Sequence, residues 1–348
     1  MQQADDRRTG LVGPPCKDET AGSASRKAAL GGGVYMEFLV TSLVNGLLYG
    51  MLLFMVSAGL TLIFGMMGVL NFAHASFYML GAYLGYTLSG FLPFWLTLLI
   101  APLLVAVIGV LVERYILRAV HRYGHMHEVL VTFGLAYIIH ELIKMVYGNY
   151  AVSYQTPEAW KFTAFTLFDT RYPFYRVMIA IVGTLMFTML AVLLRFTRVG
   201  IVIRAAIRLP RMVEALGHNV PVVFLLVFGI GAWLAGMAGT LGGIVLVTSP
   251  NMALDLGIIV FVVVIVGGLG SLEGALLASL LIGLVSTFAV GFQVSIADVL
   301  GYLGWARASH GSGGLLDLKV GTFAAAMPML IMLVVLLVRP AGLLGEKQ

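Results

Sequence analysis

Residues 221 to 246, PVVFLLVFGIGAWLAGMAGTLGGIVL, contain no charged side chain, and comparable apolar runs recur along most of the chain. A hydrocarbon layer of roughly 30 Å takes about 20 apolar residues of helix to cross. Inside lipid the backbone has no water to bond, so each run must satisfy its own amides. A helix does this, and the roughly 10-residue alternating segments of a β-barrel are missing from the sequence. Of 348 residues, 60% are hydrophobic and only 11% charged, whereas a soluble domain carries about a quarter charged residues. The sequence predicts an all-α, polytopic membrane protein.

Apolar runs near 38–64, 70–89, 93–112, 129–147, 174–195, 221–246, 257–268, 274–292 and 322–339 predict a bundle of eight or nine transmembrane helices, some broken by Gly. The run 257–268 is short unless its start reaches back through Asp255. Residues 1–35 are rich in Gly, Ala, Ser and mixed charge with no periodic apolar face, so a disordered extension is expected ahead of a membrane domain at 36–345. They lack the apolar core of a cleaved signal peptide, and Met36 is the expected natural start.

The lone Cys16 excludes an internal disulfide, and no Cys/His cluster proposes a metal site. A net charge of +5 would raise nucleic acid as a partner of a soluble protein. Here most basic residues fall in short loops between spans, where they report topology and not nucleic acid. Arg114, Arg118 and Arg122 follow the third run, and Arg195, Arg198, Arg204, Arg208 and Arg211 follow the fifth; both loops are expected in the cytoplasm. The loops 148–173 (Glu158, Lys161, Asp169, Arg171) and 293–321 (Asp298, Arg307, Asp317, Lys319) each sum to zero and are expected outside. A cytoplasmic carboxyl terminus follows, while the side of the amino terminus turns on whether every run crosses.

No phosphate-binding loop, His/Glu zinc motif or serine elbow occurs, so neither catalysis nor a cofactor is expected in this chain. The loop RFTRVGIVIRAAIRLPRMVEALGHNVP carries more than charge. Pro210 suits a first helical turn, Gly217 the left-handed residue that ends a helix, and Asn219 the cap of the next span. A short helix over Leu209–Leu216 is predicted, of the kind that docks a membrane subunit onto a separate motor. The plainer reading is that the arginines only anchor the loop.

Gly229, Ala232, Gly236 and Gly239 recur at three- or four-residue spacing, the small-residue stripe by which helices pack closely in lipid; a smooth pathway wall is the alternative. His140, Glu141 and Lys144 share one run, and Glu141 with Lys144 has the spacing of an interfacial helical ion pair. GMMGVLNFA from Gly65 aligns with GGLGSLEGA from Gly267, pairing Gly65 with Gly267, Gly68 with Gly270, Leu70 with Leu272 and Ala73 with Ala275. Each copy reads as a Gly-x-x-Gly bend before a helix, with Asn71 or Ser271 available as cap. Either these are structural turns, or the broken helices aim backbone N–H groups at a carboxylate. On the second reading Asn71, His74, Ser76 and Ser271 line the substrate pathway.

The stretches GLTLIFGMMGVLNFAHASFYMLGAY, RVGIVIRAAIRLPRMVEALGHNV, FGIGAWLAGMAGTLGG, VVVIVGGLGSLEGALLASLLIGL and RPAGLLG, in this order, resemble the LivH-type permease subunit of bacterial ABC importers for branched-chain amino acids. The resemblance implies an inner-membrane permease paired with a LivM-type permease subunit, two cytoplasmic ATPase subunits that bind ATP and Mg, and a periplasmic substrate-binding protein. Glu214, Ala215 and Gly217 resemble the E-A-A…G coupling element of ABC permeases, which with Arg204 and Arg208 forms the expected ATPase coupling loop. Family members also import urea, short amides and aromatic acids, so the substrate does not carry over. An ion-coupled transporter or channel, or a non-transporting scaffold, remains the alternative.

Overall fold

The computed structural model describes residues 20–154, 160–167, 170–291 and 320–345. The chain divides into two compact units, Met1–Thr41 and Ser42–Gln348. Helix α1 is Thr20–Met67. Residues 1–19, with Cys16, lie outside the described residues.

Then follow α2 (His74–Ser89), α3 (Phe94–Val112), a π-helical turn (Glu113–Leu117), α4 (Arg118–Val120), a 3-10 turn (His121–Tyr123) and α5 (His125–Tyr147). After the strands β1 (Thr163–Leu167) and β2 (Thr170–Pro173) come α6 (Phe174–Phe196), α7 (Arg198–Arg208), α8 (Pro210–Ala215), α9 (Val220–Val245), α10 (Met252–Gly267) and α11 (Leu272–Gly291). A 3-10 turn (Val320–Ala326) and α12 (Met327–Val338) complete the described elements. Among the described residues, seven helical segments are long and apolar enough to cross a membrane, with Met252–Gly267 a shorter apolar helix. The fold is a polytopic helical membrane protein, as expected. α10 reaches back through Asp255 as its length requires.

A short hairpin departs from all-α. β1 and β2 pair antiparallel within the loop expected outside. Phe165 stacks on Tyr172 with ring centroids 5.0 Å apart, a cross-strand contact that helps hold so short a hairpin.

The core of the second unit is built on α2, which packs against α9, α3, α10 and α5. Lipid offers little drive for burying apolar surface, so close backbone approach must supply the attraction. Glycines permit it: a Cβ on Gly81 would lie 2.3 Å from the Gly236 carbonyl oxygen, and one on Gly109 2.4 Å from Ala232 Cβ. The stripe on α9 is therefore packing surface, Gly236 facing Pro102 and Val105 of α3 and Gly239 facing Tyr78 of α2.

Candidate functional site

Both copies of the glycine motif form bends, and they meet. α1 stops at Gly68, whose φ of +69° is matched by +83° at its aligned partner Gly270. A left-handed residue reverses the chain cheaply only when it has no Cβ. A Cβ on Gly65 would come 3.4 Å from Gly270 Cα, so the first bend touches the second.

Beyond the glycines the copies diverge. Ser271 caps α11, its Oγ accepting from the Gly274 N–H at 3.1 Å. Asn71 caps nothing: α2 begins at His74 after Ala73, and Asn71 Oδ1 accepts from the Ala73 N–H at 3.0 Å. The side chain is spent on a local turn, a known competitor of helix initiation. Asn71, His74 and Ser76 are all buried. His74 Nε2 lies 2.9 Å from the Val56 carbonyl oxygen, and Ser76 Oγ donates to the Ala136 carbonyl at 3.5 Å. The Asn71 amide nitrogen and His74 Nδ1 have no partner among the described groups.

A cavity of about 1340 Å³ opens beside the bends, with Gly65, Gly68, Gly270, Ser271, Arg204 and Gly345 in its wall. A second, of about 360 Å³, shares Gly65, Gly270, Ser271 and Arg204 and adds Thr61 and Glu273. Of the four residues read as a substrate pathway, Ser271 faces these spaces, while Asn71, His74 and Ser76 line neither.

Two neighbouring pieces hold the second bend. Arg195, at the end of α6, pairs with Glu273 in the first turn of α11, where a carboxylate also complements the helix dipole. The closing RPAGLLG segment folds back so that the Leu343 and Leu344 N–H groups donate to the Val266 and Gly267 carbonyls at 2.8 and 3.1 Å. Those carbonyls end α10 and lack helical partners, which explains the motif: Gly342, at φ +80°, packs on Gly268 too tightly for any Cβ. Arg204 of α7 faces both cavities.

Within the loop from Arg195 to Pro221 the predicted short helix and its caps form, preceded by α7, which the sequence reading did not foresee. Pro210 opens α8, Gly217 has φ +84°, and Asn219 caps α9 by accepting from the Val222 N–H at 3.3 Å. α8 is anchored by buried Val213 while Leu209, Met212 and Leu216 are largely exposed, as are Glu214, Ala215 and Gly217. The backbone of Arg208 ends α7; its side chain lies outside the described residues.

Sequence reasoning missed one cluster. Glu113 and Glu128 are buried, and His121 lies between them, Nδ1 2.7 Å from Glu128 Oε1 and Nε2 3.8 Å from Glu113 Oε1. Buried carboxylates need such company. Glu113 is flanked in sequence by the arginines that read as topology anchors, and the π turn that swings His121 back has no sequence signature. The Glu141–Lys144 pair forms as expected at 3.2 Å, and His140 Nε2 reaches Asn251 Oδ1 at 3.4 Å.

The comparisons agree with this architecture. The family described as "Branched-chain amino acid transport system / permease component" matches residues 42–338. Among similar curated proteins is the "High-affinity branched-chain amino acid transport system permease protein LivH" of Salmonella typhimurium, 24% identical over 326 residues, covering 89% of this chain and 97% of that one. BraD, of the same description, from Pseudomonas aeruginosa is 25% identical over 319 residues, 88% and 95% of the two chains. The probable LivH permease of Methanocaldococcus jannaschii is 25% identical over 318 residues, 87% and 91%. No solved structure matches the chain. A match across 42–338, the whole helical unit from mid-α1 to the end of α12, places the chain in the permease-component family of branched-chain amino acid transport systems.

Proposed function

We propose that the chain is the transmembrane permease subunit of an ABC importer, passing branched-chain or related amino acids across a bacterial inner membrane. ATP hydrolysis occurs in two separate cytoplasmic subunits that hold ATP and Mg, and a LivM-type permease and a periplasmic binding protein complete the assembly. The carboxyl terminus and the α7–α8 loop lie on the cytoplasmic side. The observation that carries the reading is α8: buried Val213 anchors it, while Leu209, Met212 and Leu216 stand in the open beside Glu214. A water-facing helix that exposes a cluster of apolar side chains marks an interaction surface. An ion-coupled transporter has no need of such a knob.

On this reading Arg204, Arg208, Glu214, Ala215 and Gly217 couple ATPase motion to the bends, and Arg195–Glu273 passes it on to α11. Ser271 contacts substrate in the cavity, and Asn71, His74 and Ser76 act when the first bend opens. Reconstitution tests it: Glu214→Lys with Gly217→Trp removes substrate-stimulated ATP hydrolysis while the assembly still forms. Undiminished stimulation in that variant sinks the coupling assignment. Uptake after Asn71→Leu and His74→Leu, at normal expression, separates pathway from packing; unchanged affinity and rate leave only a structural role.

A further inference from the structure

The smaller cavity at the bends, about 360 Å³, has a wall of two kinds. Leu62 of α1, Phe187, Leu190 and Leu194 of α6 and Ile203 of α7 make one part apolar. Thr61, Arg195, Arg204, Ser271 and Glu273 make the other polar. Ligand sites of roughly 300–1,000 Å³ have this form, an apolar wall with a few placed polar groups, and the volume here suits a small molecule. The bonding of the polar groups says what that molecule must carry. Arg195 is taken up by Glu273, whereas Arg204 pairs with no carboxylate among the described residues. Ser271 Oγ accepts from the Gly274 N–H, which leaves its own O–H to donate. Glu273 meets Arg195 through Oε1, so its carboxylate keeps acceptor sites. Thr61 is buried and its hydroxyl has no partner among the described groups, a state that a native wall seldom leaves unanswered.

An unpaired guanidinium and a hydroxyl donor call for a carboxylate, the Glu273 oxygens for an ammonium, and the leucine-lined wall for an apolar body. A free apolar α-amino acid carries all three. We propose that this chamber binds such an amino acid as product, its carboxylate on Arg204 and Ser271 and its ammonium on Glu273, and that occupancy slows further import. The inhibitory part rests on the proposed function, which puts α7 and the chamber on the cytoplasmic side. Arg204 belongs to α7, while Ser271 and Glu273 stand at the second bend and the start of α11. One ligand therefore ties the coupling loop to the bend. A ligand favours the arrangement that it binds, so product accumulating on that side opposes any motion that parts the two.

The test starts with equilibrium binding of radiolabelled L-leucine to the full-length chain, in the membrane assembly it purifies with, in nanodiscs without ATP or binding protein. Saturable binding is expected, with isocaproate, which lacks the ammonium, and isoamylamine, which lacks the carboxylate, each competing at least roughly tenfold more weakly. Arg204→Gln lowers the affinity for L-leucine roughly tenfold, and Ala191→Leu, which narrows the chamber, removes binding. Should Ala191→Leu fail to fold, Arg204→Gln decides, since Arg204 is exposed. Absence of saturable binding, equal competition by either analogue, or unchanged affinity in Arg204→Gln overturns the site. Proteoliposomes loaded with L-leucine then read the regulation, each protein being compared with its own empty vesicles. ATP-driven uptake is expected to fall about twofold when internal L-leucine equals the measured Kd, and not to respond to loading in Ala191→Leu. Uptake that ignores loading overturns the inhibitory role. Empty vesicles without ATP-driven uptake contradict the importer reading instead, and the ATP-free binding measurement still decides the site.

Discussion

The bends at Gly65–Ala73 and Gly267–Ala275 share a sequence skeleton and a left-handed glycine, yet do different work. The first turns into the core: Asn71, Ala73 and His74 are buried, and the Phe72 N–H reaches Thr132 Oγ1 of α5 at 3.3 Å. The second is exposed at Leu269 and Gly270, is capped by Ser271 and is pinned by Arg195 and the carboxyl-terminal turn. A shared local motif sets the reversal of the chain, while the neighbours each copy meets set whether its polar groups face protein or cavity.

The sharpest way to break the comparison is at its first aligned pair. A Cβ on Gly267 would lie 2.5 Å from the Gly274 backbone, while one on Gly65 meets nothing closer than 3.4 Å. Gly267→Ala is expected to cost about 1–3 kcal/mol or more by overpacking against backbone. Gly65→Ala, in the last turn of α1, is expected to stabilise by up to about 1 kcal/mol through helix propensity. Thermal unfolding in detergent, with folded yield, reads both, and equal effects would mean the two bends are interchangeable.

Ser271→Ala removes a true helix cap and should cost about 1 kcal/mol, with Ser271→Asp recovering most of it. Recovery failing with Asp would locate the effect in the cavity and not in the cap. Glu273→Gln loosens the exposed pair with Arg195; its cost should stay below about 1 kcal/mol and shrink with added salt. A salt-independent loss would mean that the second bend is held by packing.

The smallest effect concerns Tyr154, which packs on Gly85 and Gly243 far from either bend and whose hydroxyl has no partner among the described groups. Burial pushes its phenol well above the ordinary 10.0. The folded state therefore keeps the proton when the unfolded chain releases it, so stability present below pH 10 declines as pH rises past that value. Tyr154→Phe should be near neutral or slightly stabilising at pH 7, because it deletes an unpaired buried hydroxyl. It should also flatten the alkaline decline, which parallel unfolding curves in the two proteins would contradict.

Much was legible because it depends on chemistry local in sequence. Apolar runs too long for anything but membrane helices, Pro210 opening α8, Gly217 closing it, Asn219 capping α9 and Ser271 capping α11 each rest on a few adjacent residues. The errors had the same locality. Asn71 looked like a cap because an Asn before an apolar run usually is one, but its oxygen closed a two-residue turn first. The strands β1 and β2, of five and four residues, were hidden because each is too short to show a period.

By itself the sequence determined that this chain spans a membrane as helices, where it bends, and where α8 starts and stops. A bilayer leaves the backbone no other way to satisfy its amides, and glycine alone adopts those turns without strain. Only the tertiary structure decided that the two bends touch, that RPAGLLG completes the end of α10, and that Glu113, His121 and Glu128 come together. Those contacts join residues that share no local motif, several of them far apart in the chain, and in lipid they are selected by how closely particular surfaces fit. That fit is a property of pairs of helices and is written in neither helix alone.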